Sequence, residues 1–378
     1  MKKTFVAVAV LGAFAGSAMA ADVTLYGRID TGLAYTHTDV NDVTTNKAEM
    51  TSGWSTGARW GIKGAEDLGN GFKVGFVLEN GFDSDTGKMG QDGRIFGRES
   101  TLYVASDFGT LYAGRMNTLL SDGGSMGVLG ATSAIGNAYG FGTMKGSTGA
   151  GFARHDNMLG YVSPTFAGFK LSAQYSMKSD DVKTKIDPAT GKEVKVDAGT
   201  ENKANANRYA ALAATYSIGG LNLVLGGDYN IYGHAAGVDV DNGWNVIFGG
   251  NYDFEVVKVF AKAAYFKDMK SIADTLGYFG TAETGYTYQG YGLEFGAKAP
   301  VLGGNLFGAV SFRDAKAKTD VAGAEDVKAK RYSAILGYSY AFSKRTNVYT
   351  AVNYVQEKMD DEDKASGAQF GLGLVHKF

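Results

Sequence analysis

The sequence predicts an all-β fold, a sixteen-stranded antiparallel transmembrane β-barrel, and three observations carry that prediction. Segments of about ten residues with two-residue hydrophobic alternation recur along the whole chain, as expected of strands with one apolar and one polar face. Their connections are alternately short and long. Beyond residue 20, no run approaches the roughly 20 apolar residues that a transmembrane helix needs. Composition agrees: 55 glycines and 22 each of tyrosine and phenylalanine stand against 3 prolines in 378 residues. The glycines are scattered among aromatic and β-branched residues with no G-X-Y period.

The first element is a leader rather than part of the fold. MKKTFVAVAVLGAFAGSAMA places Lys2 and Lys3 before an apolar stretch from about Thr4 to Ala15 and ends in Ala18-Met19-Ala20. It reads as a secretory signal over 1–20, cleaved before Ala21, with a core too short to span a membrane. The formal charge of −2 becomes −4 once both lysines leave, too near balance to suggest nucleic acid as a partner. The chain has no cysteine, so an oxidising compartment adds no disulfide. Residues 21–378 read as a single barrel domain.

From Asp22 onward the strands fall at about 22–36, 53–64, 71–81, 95–106, 109–116, 153–163, 168–179 and 207–218, then at about 220–232, 243–254, 255–268, 286–299, 304–314, 329–342, 345–358 and 367–378. Seven short connections join them in pairs: DLGNG at 67–71, DFGT at 107–110, TFAG at 165–168, Gly219-Gly220, the Phe254-Glu255 junction, PVLGG at 300–304 and SKR at 343–345. Their turn residues and lengths suit tight hairpins. The eight intervening connections, 37–52, 82–94, 117–152, 180–206, 233–242, 269–285, 315–328 and 359–366, are longer and polar. Sorting loop length by side describes an outer-membrane barrel with short periplasmic turns and long extracellular loops; a soluble sandwich has no reason to do so.

The strand faces point the same way. Val23, Leu25, Gly27 and Ile29 alternate with Thr24, Tyr26, Arg28 and Asp30 in the first strand. Trp54, Ala58, Trp60 and Ile62 alternate with Ser55, Arg59 and Lys63 in the second, and Phe72, Val74, Phe76 and Leu78 with Lys73 and Glu79 in the third. Alternation alone does not say which face is inside. Size decides: sixteen strands enclose a space too wide for side chains to fill, so a wet polar lumen with lipid against the apolar face is the stable arrangement. Aromatics near strand ends, Tyr35, Trp54, Phe82, Tyr265, Tyr291, Tyr340 and Tyr354, suit interfacial girdles. Closure removes every unpaired edge, which hydrocarbon does not tolerate. The final strand, GAQFGLGLVHKF, therefore faces lipid with Phe370, Leu372 and Leu374, pairs with the first strand, and sets Phe378 at the interface.

At this point the chain resembles a Gram-negative general porin of the β-proteobacterial type. The resemblance is carried by VTLYGRIDTGLAY, ARWGIKGAEDLGNGFKVGFVLEN, FGTLYAGRMN, DNMLGYVSPTFAGFKLSAQYS, GYSYAFSKRTNVYTAVNY and the closing GLVHKF. It implies a trimeric barrel passing small hydrophilic solutes and ions, a third loop folded into the lumen, and a terminal Phe378 read by the outer-membrane assembly machinery. It also implies a constriction with basic residues on one wall facing acids on the inward loop. YGR then assigns Arg28, ARWGIKG assigns Arg59, AGRMN assigns Arg115, FARHDN assigns Arg154 and FVLEN assigns Glu79. Alternation independently puts Arg28, Arg59 and Glu79 on the polar face; for Arg115 it is ambiguous.

The third loop departs from the enterobacterial pattern, lacking its Pro-Glu-Phe-Gly-Gly core. Over 117–152 the only acid is Asp122 and the only base Lys145. So apolar a 36-residue connection does not suit disorder, which goes with low hydrophobicity and high charge, and folding against the barrel wall is the better account. Four bases against Glu79 and Asp122 predict a weak preference for anions, unless Asp30, Glu99 or Asp156 enters the narrow zone.

Other chemistry is weakly marked. Asp83 and Asp85 in DSDTGK, and Asp360–Asp363 in DDED, have oxygen-rich spacing suited to calcium or to bridging lipopolysaccharide, but the first lacks the final ligand of an EF-hand. Four dispersed histidines without cysteine make no zinc set. No G-x-S-x-G elbow marks a hydrolase, so no enzyme, cofactor or resident metal is expected. Two alternatives stand beside a passive diffusion channel: a substrate-specific channel using Tyr139 and Phe141, and a surface adhesin using loops 180–206 and 269–285.

Overall fold

The computed structural model describes residues 22–142, 147–148, 153–180, 183–186, 193–196, 199–234, 240–273, 275–276, 286–319, 325–360 and 363–378. The expected leader, Lys145, Asp361 and Glu362 lie outside them. The strands are β1 (Thr24–Val40), β2 (Val43–Ser52), β3 (Arg59–Gly69), β4 (Phe72–Gly81), β5 (Glu99–Ser106), β6 (Gly109–Asn117), β7 (Arg154–Val162) and β8 (Phe169–Ser176). After a two-stranded hairpin, β9 (Lys183–Ile186) with β10 (Glu193–Val196), come β11 (Arg208–Ile218), β12 (Leu221–Ile231), β13 (Gly243–Asp253) and β14 (Lys258–Met269). The wall ends with β15 (Tyr286–Val301), β16 (Gly304–Thr319), β17 (Val327–Ala341), β18 (Thr346–Met359) and β19 (Asp363–Lys377).

Each wall strand is antiparallel to its neighbours, and β1 pairs with β19 from Arg28–Lys377 to Val40–Ala365, which closes the barrel. The sheet has seventeen strands, but β2 and β3 both pair with β1 at different heights and share one position, so the wall is sixteen strands around. All seven expected short connections are tight turns at one end of the barrel. The apolar face is outside: Leu25, Leu33, Leu212, Phe248, Phe295 and Leu336 are exposed, while their strand neighbours Asp30, Ala34, Ala211 and Ile335 are buried.

Two sequence expectations are corrected at the first hairpin. Residues 37–52 are not a loop: β1 continues to Val40, turns at Asn41-Asp42, and returns as β2. Both turn residues have left-handed φ of +51° and +61°, the geometry of the two-residue type I′ hairpin. The alternation signal fades there because this part rises above the apolar band and is polar on both faces. The expected strand over 53–64 begins only at Arg59, since 53–58 leave the ladder and turn inward. Trp54 accordingly sits inside the lumen against Tyr139 and Tyr349 rather than in an interfacial girdle.

Wall height is uneven. β1 and β15–β19 run for 14–17 residues, against 8–9 for β5–β8. At about 3.3 Å per residue, the long strands reach roughly 50 Å, well beyond the 9–11 residues that cross a bilayer.

Candidate functional site

The connection between β6 and β7 enters the barrel and lines its inner wall. Its apolar residues explain this: Leu119, Leu120, Met126, Leu129, Ile135, Tyr139 and Phe141 are buried against inward residues of the wall. Polar wall residues seat the backbone between them. Gln174 Oε1 accepts from Leu119 N at 2.8 Å, and its Nε2 donates to Asn117 O at 2.9 Å. Asn251 Nδ2 donates to Ala131 O at 2.7 Å, Asn353 Nδ2 to Tyr139 O at 2.7 Å and Arg331 Nη2 to Phe141 O at 2.9 Å. Each pairing replaces water on a carbonyl or amide that burial would otherwise leave without a partner, which costs on the order of 1–3 kcal/mol per group.

At its tip, Tyr139 stacks on Phe307 with ring centroids 4.9 Å apart and meets Trp54 edge-on at 5.6 Å. Tyr139 N donates to Trp54 O at 2.6 Å. Burial raises the pKa of the Tyr139 phenol above its usual value. The inward turn at 53–58 that offers Trp54 is fixed by Asp30, which is fully buried. Its carboxylate accepts from Ser55 N at 2.9 Å, Thr56 N at 2.7 Å and the Tyr349 hydroxyl at 2.7 Å.

Between loop and wall lies an opening of about 460 Å³. Arg28, Arg59, Arg98 and Arg154 line one side; Ser121 to Gly124, Ile135 and Asn137 line the other. The guanidinium groups are aimed by short contacts. Arg59 Nε donates to Gly57 O at 2.9 Å and Arg154 Nε to Arg98 O at 3.1 Å, while Arg28 and Arg59 both reach Thr56 Oγ1 at 3.3 Å. A Cβ at Gly57 would lie 3.2 Å from Arg98 Nη1, so glycine there leaves room for the cluster. Across the opening Asp122 accepts from Asn137 N and Nδ2, both at 2.7 Å.

Glu79 lies behind the basic wall, 2.6 Å from Arg98 Nε and 3.6 Å from Arg59 Nη1, and accepts from the Tyr26 hydroxyl at 3.1 Å. Arg115 is not at the opening. It donates to Asp156 at 2.7 Å, sharing that carboxylate with Arg94 at the same distance. None of the other acids weighed from the sequence lines the opening either: Asp30 is taken up as described, Asp156 by two arginines, and Glu99 by Ser125 and Thr101. Arg98 and Arg94 are site residues that sequence reasoning missed. Arg94 stands at the end of the expected 82–94 loop, where nothing periodic marks its direction, and the expected strand over 95–106 gives Arg98 the parity of the outward Leu102 and Val104, whereas the ladder begins only at Glu99.

Further in, Lys262 and Glu294 pair at 2.9 Å with almost no exposure, and Ser147 donates to Glu294 at 3.2 Å. Arg331 pairs with Glu357, both fully buried. Residues 271–273 and 275–276 also turn inward: Ala273 O accepts from Arg313 at 2.7 Å and Thr275 Oγ1 from Arg331 at 2.8 Å. Those residues of the proposed adhesive loop 269–285 therefore pack against the wall. Tyr139 and Phe141, weighed as solute-binding aromatics, are consumed by packing.

Among the described residues, no group of three or more His, Cys, Asp or Glu side chains is placed to hold a metal ion. Asp83 and Asp85 are exposed on a tight turn closed by Asp83 N to Lys88 O at 2.9 Å. Phe378 is half-exposed, and its backbone exchanges two 3.1 Å hydrogen bonds with Gly27.

A family model described as Gram-negative porin matches residues 7–360. An outer membrane porin protein of Bordetella pertussis is 34% identical over 420 residues, covering all of both chains. Outer membrane porin protein 32 of Delftia acidovorans is 31% identical over 363 residues, covering 95% of this chain and 90% of its own. Among solved structures, an anion-selective porin from Comamonas acidovorans aligns with a TM-score of 0.65 at 24% identity, covering 95% of this chain and all of that one.

Proposed function

Because this chain belongs to the Gram-negative porin family, it forms an outer-membrane channel, and we propose that its constriction passes small hydrophilic solutes with a preference for anions. One observation carries the preference: four guanidinium groups, Arg28, Arg59, Arg98 and Arg154, face a single loop carboxylate, Asp122, across the opening. Glu79 offsets part of that charge from behind, leaving a net excess of two positive charges. A narrow passage with low-dielectric walls concentrates ions of opposite sign. The similar porin named anion-selective supports the reading by likeness of fold.

Residues 1–20 would direct export and be removed before Ala21. The assembled channel would be a homotrimer in contact with outer-membrane lipid and lipopolysaccharide, delivered by assembly machinery that recognises Phe378. The family consists of channels rather than enzymes. The test is planar-bilayer conductance across a salt gradient: the reversal potential should take the sign of anion preference. A cation-preferring reversal potential would refute the selectivity, and absence of steps in conductance would refute the channel.

A further inference from the structure

From the arginines towards the short-turn end, the lumenal face of β1 and β3–β6 carries a stripe of tyrosines and lysines. Leu25, Leu102 and Leu111 are exposed to the outside, so alternation puts Tyr26 on β1, Lys63 on β3, Lys73 on β4, Tyr103 on β5 and Tyr112 on β6 within the lumen. The ladder fixes their heights. Arg28 opposes Arg59, Tyr26 opposes Gly61, and Gly61 opposes Glu79. Below these, Lys63 opposes Val77, Gly75 opposes both Ala65 and Tyr103, and Tyr103 opposes Tyr112. From Arg59 to Ala65 the stripe descends roughly 20 Å.

These tyrosines differ from the other inward aromatics of the wall. Among the described residues, Tyr209, Phe260, Phe266, Tyr288, Phe307 and Tyr349 are packed into buried clusters, whereas Tyr26, Tyr103 and Tyr112 are only half-buried. Glycine sets their posture. A Cβ at Gly61 would lie 2.7 Å from Tyr26 Cζ and Oη, and one at Gly75 would strike the end of the Tyr103 ring. Each ring therefore leans across a glycine of the neighbouring strand, which leaves ring surface open to the lumen. Tyr112 meets Tyr103 at a centroid distance of 5.5 Å, within the range of about 4.5–7 Å for attractive ring pairs.

Cations stand beside the rings. Lys63 Nζ lies 5.3 Å from the Tyr26 centroid, at the reach of a cation–π contact, and both Lys63 and Lys73 are exposed. At the height of Lys63 the inward neighbours are Thr24, Val77 and Thr101, none of them acidic. The acids above and below are engaged: Glu79 with Arg98 and Arg59, Glu99 with Thr101 and Ser125. Asp67, opposite Lys73, accepts from Gly69 N at 2.8 Å, and Asp107 stands at the turn beyond, beside Gly71. Between Tyr26 and Tyr103 the charge on the wall is thus the Lys63 ammonium.

We propose that this stripe binds aromatic carboxylates as they pass the opening, which favours them among the anions that the channel admits. It rests on the anion preference proposed for the opening. The carboxylate meets Arg28 and Arg59 and then Lys63, while the ring meets Tyr26 and then the Tyr103–Tyr112 pair. An anion without a ring uses only the cations, and a neutral ring uses only the tyrosines.

The test is the half-blocking concentration of single-channel current through the full-length protein in planar bilayers at low KCl. The probes are benzoate, cyclohexanecarboxylate, which has the charge without the aromatic face, and benzyl alcohol, which has the ring without the charge. An aromatic pairing is worth about two- to twelvefold in affinity, so wild type should be blocked by benzoate at severalfold lower concentration than by either other probe. Tyr103→Leu/Tyr112→Leu should raise the benzoate value about tenfold and leave the cyclohexanecarboxylate value in place. Tyr103→Phe/Tyr112→Phe should be blocked as wild type is, and Lys63→Gln should weaken both carboxylates without affecting benzyl alcohol. The reversal potential of wild type in KCl alone tests the anion preference separately. With that potential of anion sign, equal block of wild type by benzoate and cyclohexanecarboxylate, or a leucine variant blocked as wild type is, would overturn the stripe and spare the opening. A potential of cation sign would overturn both.

Discussion

Replacing Arg59 and Arg154 together with alanine removes two of the four guanidinium groups at the opening and brings the local excess of two positive charges to zero. Glu79 is not set free by this, because Arg98 at 2.6 Å and the Tyr26 hydroxyl still engage it. An ion passing about 7 Å from a guanidinium feels about 0.6 kcal/mol in bulk water. At 0.1 M salt, a Debye length of about 10 Å halves that to about 0.3 kcal/mol. Anion and cation respond with opposite signs, so each arginine shifts their ratio by about 0.6 kcal/mol, or about threefold. The double variant should therefore move the permeability ratio about eightfold towards cations at 0.1 M. At 1 M the Debye length is about 3 Å and the shift should shrink to about 1.5-fold. Reversal potentials in planar bilayers at both salt concentrations measure it. Arg115→Gln is the control: engaged with Asp156 away from the opening, it should leave the reversal potential unchanged. A double variant with wild-type selectivity, or an Arg115 variant that shifts as far, would refute the assignment of the wall.

Tyr139→Ala removes the ring stacked on Phe307 and wedged against Trp54, at a packing cost of about 3–5 kcal/mol; larger and noisier single-channel currents are expected, and wild-type currents would show that the loop tip does not set the opening. Phe378→Ala should lower the amount of protein in the outer membrane, and Gly27→Val should act in the same direction, because a Cβ at Gly27 occupies the space of the Phe378 ring. Surface abundance equal to wild type in both would remove the role given to this residue. Lys262→Met leaves Glu294 buried without its 2.9 Å partner, a loss of about 3–5 kcal/mol; the temperature at which the folded band shifts on electrophoresis should fall, and should recover when Glu294→Leu is added. No fall in the single variant would mean that water reaches the pair.

The barrel was legible because its signal is local and repeated. Alternation at Leu25–Asp30 or Lys73–Glu79 needs no knowledge of the rest of the chain, and turn residues such as Gly219-Gly220 mark hairpins by their own chemistry. The same parity put Arg28, Arg59 and Glu79 on the lumenal face. It failed where the ladder breaks. Trp54 keeps the rhythm of an outward aromatic, yet residues 53–58 leave the wall because a carboxylate some 25 positions away, Asp30, takes the amides of Ser55 and Thr56. In the sequence Asp30 is one more polar residue on an inward face. Arg98 was missed for the complementary reason: the expected strand over 95–106 gives it the parity of the outward Leu102 and Val104, but the ladder begins only at Glu99 and leaves Arg98 free of that parity.

The third loop shows where such reading must stop in a wide barrel. Its apolar residues announce that it folds inward, but its course is set by Gln174, Asn251, Asn353 and Arg331, which lie on four separate strands. Each occupies an inward position with the same parity as a residue wetted by the pore. In a small soluble core, a buried amide stands out because its neighbours are apolar. Here every lumenal position is allowed to be polar, so a side chain that docks a loop and one that meets passing ions look alike until the loop is in place. The lining of the opening is consequently a product of two patterns of unequal range. Strand periodicity places Arg28, Arg59 and Arg154, the connection before β5 adds Arg98, and long-range hydrogen bonding decides which arginines the loop leaves facing open space: these four at the opening, Arg115 and Arg331 in the wall.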